Sequence, residues 1–222
     1  LYGNNASTAG GIFTEDGTHG VFENLLIYNN NAYHGGAIKI IGSNINIINS
    51  TVVNNTSSNT FGNNSGNIFL HGSNSNLKVI NSIINNDAEY EMVQAYGSAN
   101  QITVEYSMIQ DGLGGLIQGH SVNWGIGNID SDTLFVDTAN GDYRLSNFSP
   151  CIGAGLDTSI VPTTDLDGNL RPNPAGSNPD MGAYENSLAT PLIYGCIDSL
   201  AYNYDSNADV DDSQFTYSII TD

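Results

Sequence analysis

A rung written four times over constrains this chain more than any other feature. The stretch Asn46-Ile47-Ile48-Asn49-Ser50-Thr51-Val52-Val53-Asn54-Asn55 returns as Asn76-Leu77-Lys78-Val79-Ile80-Asn81-Ser82-Ile83-Ile84-Asn85-Asn86. It is preceded by Glu23-Asn24-Leu25-Leu26-Ile27-Tyr28-Asn29-Asn30 and followed by Ile102-Thr103-Val104-Glu105-Tyr106-Ser107-Met108-Ile109-Gln110-Asp111. Aligning Asn29, Asn54, Asn85 and Gln110 gives steps of 25, 31 and 25 residues. Aligning Ile12, Ala37, Ile68 and Val93 gives the same three steps, so one rung is six residues longer than its neighbours. A fixed period of a few tens of residues is the mark of a solenoid. The alignment places the six additional residues in the Ser/Asn/Gly stretch 56–67, as a loop extruded from the stack.

Within each rung apolar and polar residues alternate with period two, as in Ile45/Ile47, Leu77/Val79 and Ile102/Val104, which sends one set of side chains inward and the other to solvent. No helical period competes. A strand of this kind cannot bury its inner face alone, so it must pair in parallel with the equivalent strand of the next rung. The expected fold is all-β: a right-handed parallel β-helix with a small Asp/Asn-rich unit appended at the C-terminus. The columns Asn24, Asn49, Asn81 and Asn29, Asn54, Asn85 then fall at the bends, where Asn tolerates left-handed backbone angles and its amide can bond its neighbour in the stack. Gly10-Gly11 and Gly35-Gly36 mark the start of successive first strands.

A charge of −19 with only four basic residues excludes a nucleic-acid partner, because phosphate binding needs a set of Lys and Arg that this chain lacks. An anionic membrane surface would repel it for the same reason, and direct insertion is not expected. Its 39 % hydrophobic content, in strict alternation, argues for a packed core rather than disorder. The text opens at Leu1 inside a rung, without a signal peptide or apolar span, and is read as part of a longer secreted chain with further domains.

From Trp124 the text changes to Phe135-Val136-Asp137, Gly141-Asp142-Tyr143-Arg144-Leu145, Ser149-Pro150-Cys151-Ile152-Gly153-Ala154-Gly155, Asp165-Leu166-Asp167-Gly168-Asn169-Leu170-Arg171-Pro172 and Asp180-Met181-Gly182-Ala183-Tyr184-Glu185. These motifs resemble the C-terminal region of bacterial secreted right-handed parallel β-helix proteins of the choice-of-anchor Q group. The resemblance implies the last coils and their closure; similar endings occur on pectate-lyase-like polysaccharide lyases and on large adhesins. It also implies that Arg144 and Arg171 are parts of the ending, pairing with Asp142 or Asp167 at the surface for ~0.5 kcal/mol. Further on, Gly195-Cys196-Ile197-Asp198 through Asp212-Ser213-Gln214-Phe215 is similar to a short repeat, GC-x-D-x-x-A-x-NY…DDGSC, found near the ends of bacterial surface proteins. Phe215 stands where that repeat has its second cysteine. The expected division is 1–120 for rungs, 121–186 for closing coils, and 187–222 for a linker and the degenerate repeat.

Few residues offer chemistry. A lyase needs a base for the C5 proton of a uronate and a cation for its carboxylate, and Lys39 with His71 one rung below is the best candidate pair; the competing reading is a solvated lysine beside a surface histidine. Lys78, between inward Leu77 and Val79, points to solvent. Glu15/Asp16 and Glu89/Glu91 are adjacent carboxylates without a hydrolase motif, and His19, His34, His71 and His120 lack a zinc spacing. Asp205, Asn207, Asp209, Asp211 and Asp212 place oxygens at alternate positions, as a Ca²⁺ loop does, although Val210 stands where such a loop has glycine. The competing reading is a plain solvated acidic turn. Asp165, Asp167 and Asn169 are a weaker second set, and Gly112-Leu113-Gly114-Gly115 lacks the flanking Lys of a phosphate loop. Cys151 and Cys196 are expected as free thiols, Cys151 buried, with a bridge between them as the alternative. The expected function is structural and adhesive, an extracellular segment of a secreted surface protein with a glycan or cell-surface ligand. A carbohydrate-active enzyme, a polysaccharide lyase, is the alternative.

Overall fold

The computed structural model describes residues 1–58, 67–86, 91–95, 99–117 and 121–217. Period-two alternation becomes three parallel sheets. The first holds Ile12–Thr14, Ile38–Ile41, Ile68–His71, Met92–Ala95 and Leu116–Ile117; the second His19–Glu23, Asn44–Ile48, Asn76–Ile80, Gln101–Glu105 and Ser121–Trp124; the third Leu26–Tyr28, Thr51–Val53, Ile83–Asn85 and Met108–Ile109. A side sheet joins Asn5–Ala6, Asn31–Ala32 and Thr56–Ser57. Neighbours in each sheet pair in parallel and come from successive passes of the chain. The inward residues of all three sheets, among them Ile40, Ile47, Val52, Leu70, Val79, Ile84 and Val104, form one buried cluster.

The register corrects the two sequence columns. Ile12 pairs with Ile38, Ile38 with Ile68, and Ile68 with Met92, so Ala37 and Val93 each stand one residue out of line. Asn85 pairs with Val53, not with Asn54. The long rung also divides its extra residues. Ile68 follows Val53 by 15 residues where Ile38 follows Tyr28 by 10, and Asn76 follows His71 by 5 where Asn44 follows Ile41 by 3. Two of the additions therefore lie in the turn before Asn76; of the loop expected at 56–67, residues 59–66 lie outside the described set.

The bends explain the Asn and Ser content. Asn24, Asn49 and Asn81 have φ of 50°, 44° and 49°, and Asn29 and Asn54 have 54° and 53°, the left-handed region that Asn enters more easily than most residues. After the first bend, Ser50, Ser82 and Ser107 each donate to the carbonyl two residues back at 2.8–2.9 Å. Each also accepts from the preceding rung, from Leu25, Ser50 and Ser82 N–H respectively, at 3.1 Å. At the second bend the amide ladder runs through Asn30, Asn55 and Asn86, one residue beyond the expected column. Asn30 Nδ2 donates to Asn55 Oδ1 at 2.9 Å, Asn55 Nδ2 to Asn86 Oδ1 at 2.9 Å, and Asn86 Nδ2 to Glu91 Oε2 at 2.6 Å. All four side chains are buried, so backbone groups turned inward at a bend find partners without water. Gly10 and Gly36 lie just ahead of strands of the first sheet under a neighbouring carbonyl, and any Cβ there would collide with Gly36 O or Thr56 O.

Residues beyond Trp124 cover the outer face of the third sheet. Val53, Ile83 and Met108 pack there against Tyr143, Leu145, Cys151, Ile152 and Met181. With Val52, Ile84 and Ile109 facing the inner cluster, this sheet is buried on both faces, and Thr51-Val52-Val53 and Ile83-Ile84 are continuously rather than alternately buried. The left-handed asparagines dock the cover: Asn24 Nδ2 donates to Thr164 O at 2.7 Å and Asn49 Nδ2 to Asp180 O at 3.1 Å. Asn81 both donates to Leu156 O at 2.9 Å and accepts from Leu156 N at 2.8 Å. Pairing crosses the expected boundary at 120, since Ser121–Trp124 belongs to the second sheet and Ile129 bridges to Met108. The last unit is held by a parallel pair, Tyr194–Gly195 with Val210–Asp211, and by Phe148 stacked on Tyr194 at 4.0 Å. Both cysteines are free and buried. Among the described residues no helix is long and apolar enough to cross a membrane.

Truncating Asn55 to Ala removes the acceptor of Asn30 N–H and a donor to Ile27 O and Asn86 Oδ1. Asn55→Ala is expected to cost about 3 kcal/mol, against less than about 0.5 kcal/mol for exposed Asn46→Ala, in urea unfolding followed by circular dichroism.

Candidate functional site

Three places hold the residues that sequence reasoning singled out. Lys39 lies on the outer face of the first sheet, in register with Phe13 on one side and Phe69 on the other. Its Nζ stands 5.9 Å from the centroid of each ring and donates to Thr8 Oγ1 at 2.9 Å. His34 stacks on Phe69 at 4.9 Å, and His71, paired with Ile41 rather than Lys39, lies 6.0 Å from the same ring. Lys39, His34 and His71 thus gather around one aromatic column. Burial lowers the pKa of all three, and the Lys39 charge lowers both imidazoles further. No ion pair reaches Lys39 among the described residues, so the carboxylates that an eliminating or hydrolysing site would set beside it are not in contact with it. Glu91 is instead the terminus of the buried amide ladder, and Glu89 and His120 lie outside the described residues.

The second sheet presents a polar outer face. Its register aligns His19, Asn44, Asn76, Gln101 and Ser121 in one row, and Val21, Asn46, Lys78, Thr103 and Asn123 in the next. Asn76 Nδ2 donates to Asn44 Oδ1, and Asn44 Nδ2 is 3.0 Å from His19 Nε2. Lys78 points outward as expected and pairs with Glu105 at 3.0 Å. Across these rows runs a shallow depression of about 300 Å³ lined by Asn44, Asn46, Asn76, Lys78, Gln101 and Thr103.

The acidic C-terminal residues fold into separate turns. Asp205 Oδ1 accepts from Asn207 N at 2.9 Å, Asp209 Oδ2 from Ile193 N at 3.0 Å, Asp211 Oδ1 from Ser213 N at 3.0 Å, and Asp212 Oδ1 from Gln214 N at 2.9 Å. Among the described residues no three His, Cys, Asp or Glu side chains converge as metal ligands. Asp165 is likewise a turn former, accepting from Asp167 N, Asn169 N and Glu185 N. Gly112–Gly115 is a single 3-10 turn.

Sequence reasoning missed the charged centre of the cover. Arg144 pairs at the surface with Asp142 and Asp167, as expected. Arg171 does not: its guanidinium and the Glu185 carboxylate are both fully buried, 3.0 Å apart, and Arg171 also donates to Asp180 O and Gly182 O at 3.2 Å. Asp180 accepts from Gly153 N at 2.7 Å and Asn186 N at 2.6 Å. Gly182, at φ 98°, lies against Ile83 and Thr51 where a Cβ would be 2.8 Å from either side chain. The Asp-Met-Gly-Ala-Tyr-Glu string is therefore a docking device: buried Met181 and Ala183, a glycine for close approach, and two acids that hold the neighbouring loops. Cys151, pushed up to about 12 by burial, is an inert core thiol.

The acids of this centre set a pH optimum. Burial, then the Glu185 charge, pushes Asp180 up to about 7, so its contribution is complete at low pH and is lost as pH rises through that value. Asp165 behaves oppositely: burial alone would raise its pKa, but hydrogen bonds from Glu185, Asn169 and Asp167 bring it below the usual carboxylate value, so its contribution is lost as pH falls. Thermal stability is expected to peak at about pH 4, and Asp180→Asn is expected to flatten the decline between about pH 4 and pH 7. An unchanged decline in a melting series would contradict this assignment.

No family model matches the chain, and no curated protein and no solved structure is significantly similar to it.

Proposed function

We propose that the chain is an extracellular structural and adhesive segment of a large secreted bacterial surface protein of the choice-of-anchor Q type, its rungs forming a right-handed parallel β-helix that offers its second sheet to glycans. The observation that carries this reading is the in-register polar face of Asn44, Asn46, Asn76, Gln101 and Thr103. Amides supply donors and acceptors from one planar group, and parallel strands repeat them about every 4.8 Å, a spacing suited to the hydroxyls of a saccharide chain. Retention of the full chain on immobilised neutral glycans is expected, reduced about tenfold by a combined Asn46→Ala and Thr103→Ala exchange. Absence of retention would remove the adhesive part of the proposal.

A polysaccharide lyase is the second reading, favoured by one observation, the gathering of Lys39, His34 and His71 around the Phe69 ring, where burial lowers the Lys39 pKa. Ultraviolet absorbance from unsaturated uronate products decides it. The adhesive reading expects none from polygalacturonate, and activity abolished by Lys39→Met would establish the lyase instead.

Calcium belongs to the same proposal at the C-terminal unit, where Asp198, Asp205, Asp209, Asp211 and Asp212 lie close in sequence without an ion pair among the described residues. Four of the carboxylates each give an oxygen to a local turn and Asp209 gives one to Ile193 N, and screening of their mutual repulsion would stabilise the unit. Millimolar calcium is expected to slow proteolysis between Tyr194 and Tyr217 and leave the rungs unaffected. Equal cleavage rates with and without it would remove calcium from the account.

A further inference from the structure

A cavity of about 330 Å³ opens where the cover meets the second bend. Asn54 and Asn85 line one side; Asp132, Thr138, Phe135 and Tyr143 line the other. Phe135 and Tyr143 meet edge to face with centroids 5.4 Å apart, giving the cavity an aromatic wall. Its polar groups are only partly engaged. Asn54 Nδ2 donates to the Tyr143 hydroxyl at 3.1 Å, and Asn85 Nδ2 makes one long contact, 3.4 Å, with Thr133 Oγ1. Asp132 Oδ1 accepts from Leu134 N at 3.0 Å. That leaves the side-chain oxygens Asn54 Oδ1 and Asn85 Oδ1, Asp132 Oδ2 and the Thr138 hydroxyl without a hydrogen bond among the described residues.

The turn at the rim is held in an unusual shape. Leu134 has φ 50° with its side chain 40 % exposed, a conformation an L residue rarely adopts without cause. Asp132 fixes its N–H and Ser146 N donates to its carbonyl at 2.9 Å, so both backbone groups of Leu134 are held. Strained residues held by their surroundings are a recurring property of ligand clamps.

No Lys, Arg or His lines this cavity, and its one charge is negative. It offers acceptors beside an aromatic wall, which suits a ligand that donates several hydrogen bonds, has an apolar face and carries no negative charge. We propose that the cavity is a subsite for one uncharged hexopyranose unit, with Asp132 rejecting uronates by charge repulsion. A volume at the lower end of the range for small-ligand sites fits a single sugar unit rather than an extended chain. The proposal rests on the glycan-binding reading and assigns it a second place, on the third sheet rather than the second.

The test is side-chain amide and aromatic NMR of the full chain titrated with the methyl glycosides of glucose, galactose and mannose, and with galacturonate. At least one neutral glycoside at millimolar concentration is expected to shift Asn54, Asn85, Phe135 and Tyr143 resonances, and galacturonate none. Thr138→Ala and Asn85→Ala are each expected to weaken that binding about tenfold with dispersed spectra retained, exposed Thr158→Ala to leave it unchanged, and Asp132→Asn to admit galacturonate. Shifts confined to Asn44, Asn76 and Gln101 would overturn the subsite while leaving the glycan-binding reading standing. Silence towards all four sugars would overturn it too, and retention on immobilised glycans then decides the wider reading separately.

Discussion

Stacked parallel strands must turn a corner several times in every rung, and each corner aims backbone N–H and C=O groups at a dry interior. The structure depends on satisfying those groups from the neighbouring rung. Ser50, Ser82 and Ser107 do so at one bend, and Asn30, Asn55 and Asn86 at the other. A buried polar group left unmade costs about 1–3 kcal/mol, so a stack of such bends is stable only when each rung supplies its neighbour. This explains why Asn and Ser recur at the buried positions of the bends.

The same bends connect the rungs to their cover. A left-handed Asn leaves its side chain outside the stack, where Asn24, Asn49 and Asn81 hold the loops around Thr164, Asp180 and Leu156. The cover then brings its own buried charges. Burying Arg171 with Glu185 is weak evidence for stability, because desolvation offsets much of the attraction, but the two side chains also bond the backbone at Asn173, Asp180 and Gly182 and so tie these loops together. Position rather than strength is what this centre supplies.

Strand positions and their parallel pairing were legible because period two is set by local geometry alone. Register was not: Ala37 and Val93 resemble their neighbours in hydropathy, so a one-residue shift between Ile12 and Ile38 leaves no mark in the text. The amide ladder was misplaced by one residue for the same reason, since Asn29-Asn30 and Asn54-Asn55 are both Asn pairs and only burial separates their roles. Arg171 was misread because a surface arginine and a buried one are the same letter, and its partner Glu185 is separated from it by the two loops it joins. The cavity beside Asn54 and Asn85 brings together residues far apart in the chain, so no spacing could announce it.

The central claim is that the rungs and their cover form one cooperative unit, joined through the doubly buried third sheet. Native-state hydrogen exchange tests it most directly, by comparing the Val52, Val53 and Ile84 amides with those of Gly155, Met181 and Gly182 in the cover. The account predicts one shared opening free energy for both sets, lowered together by Arg171→Met. Cover amides that exchange through a separate, much lower opening while the strands stay protected would contradict it.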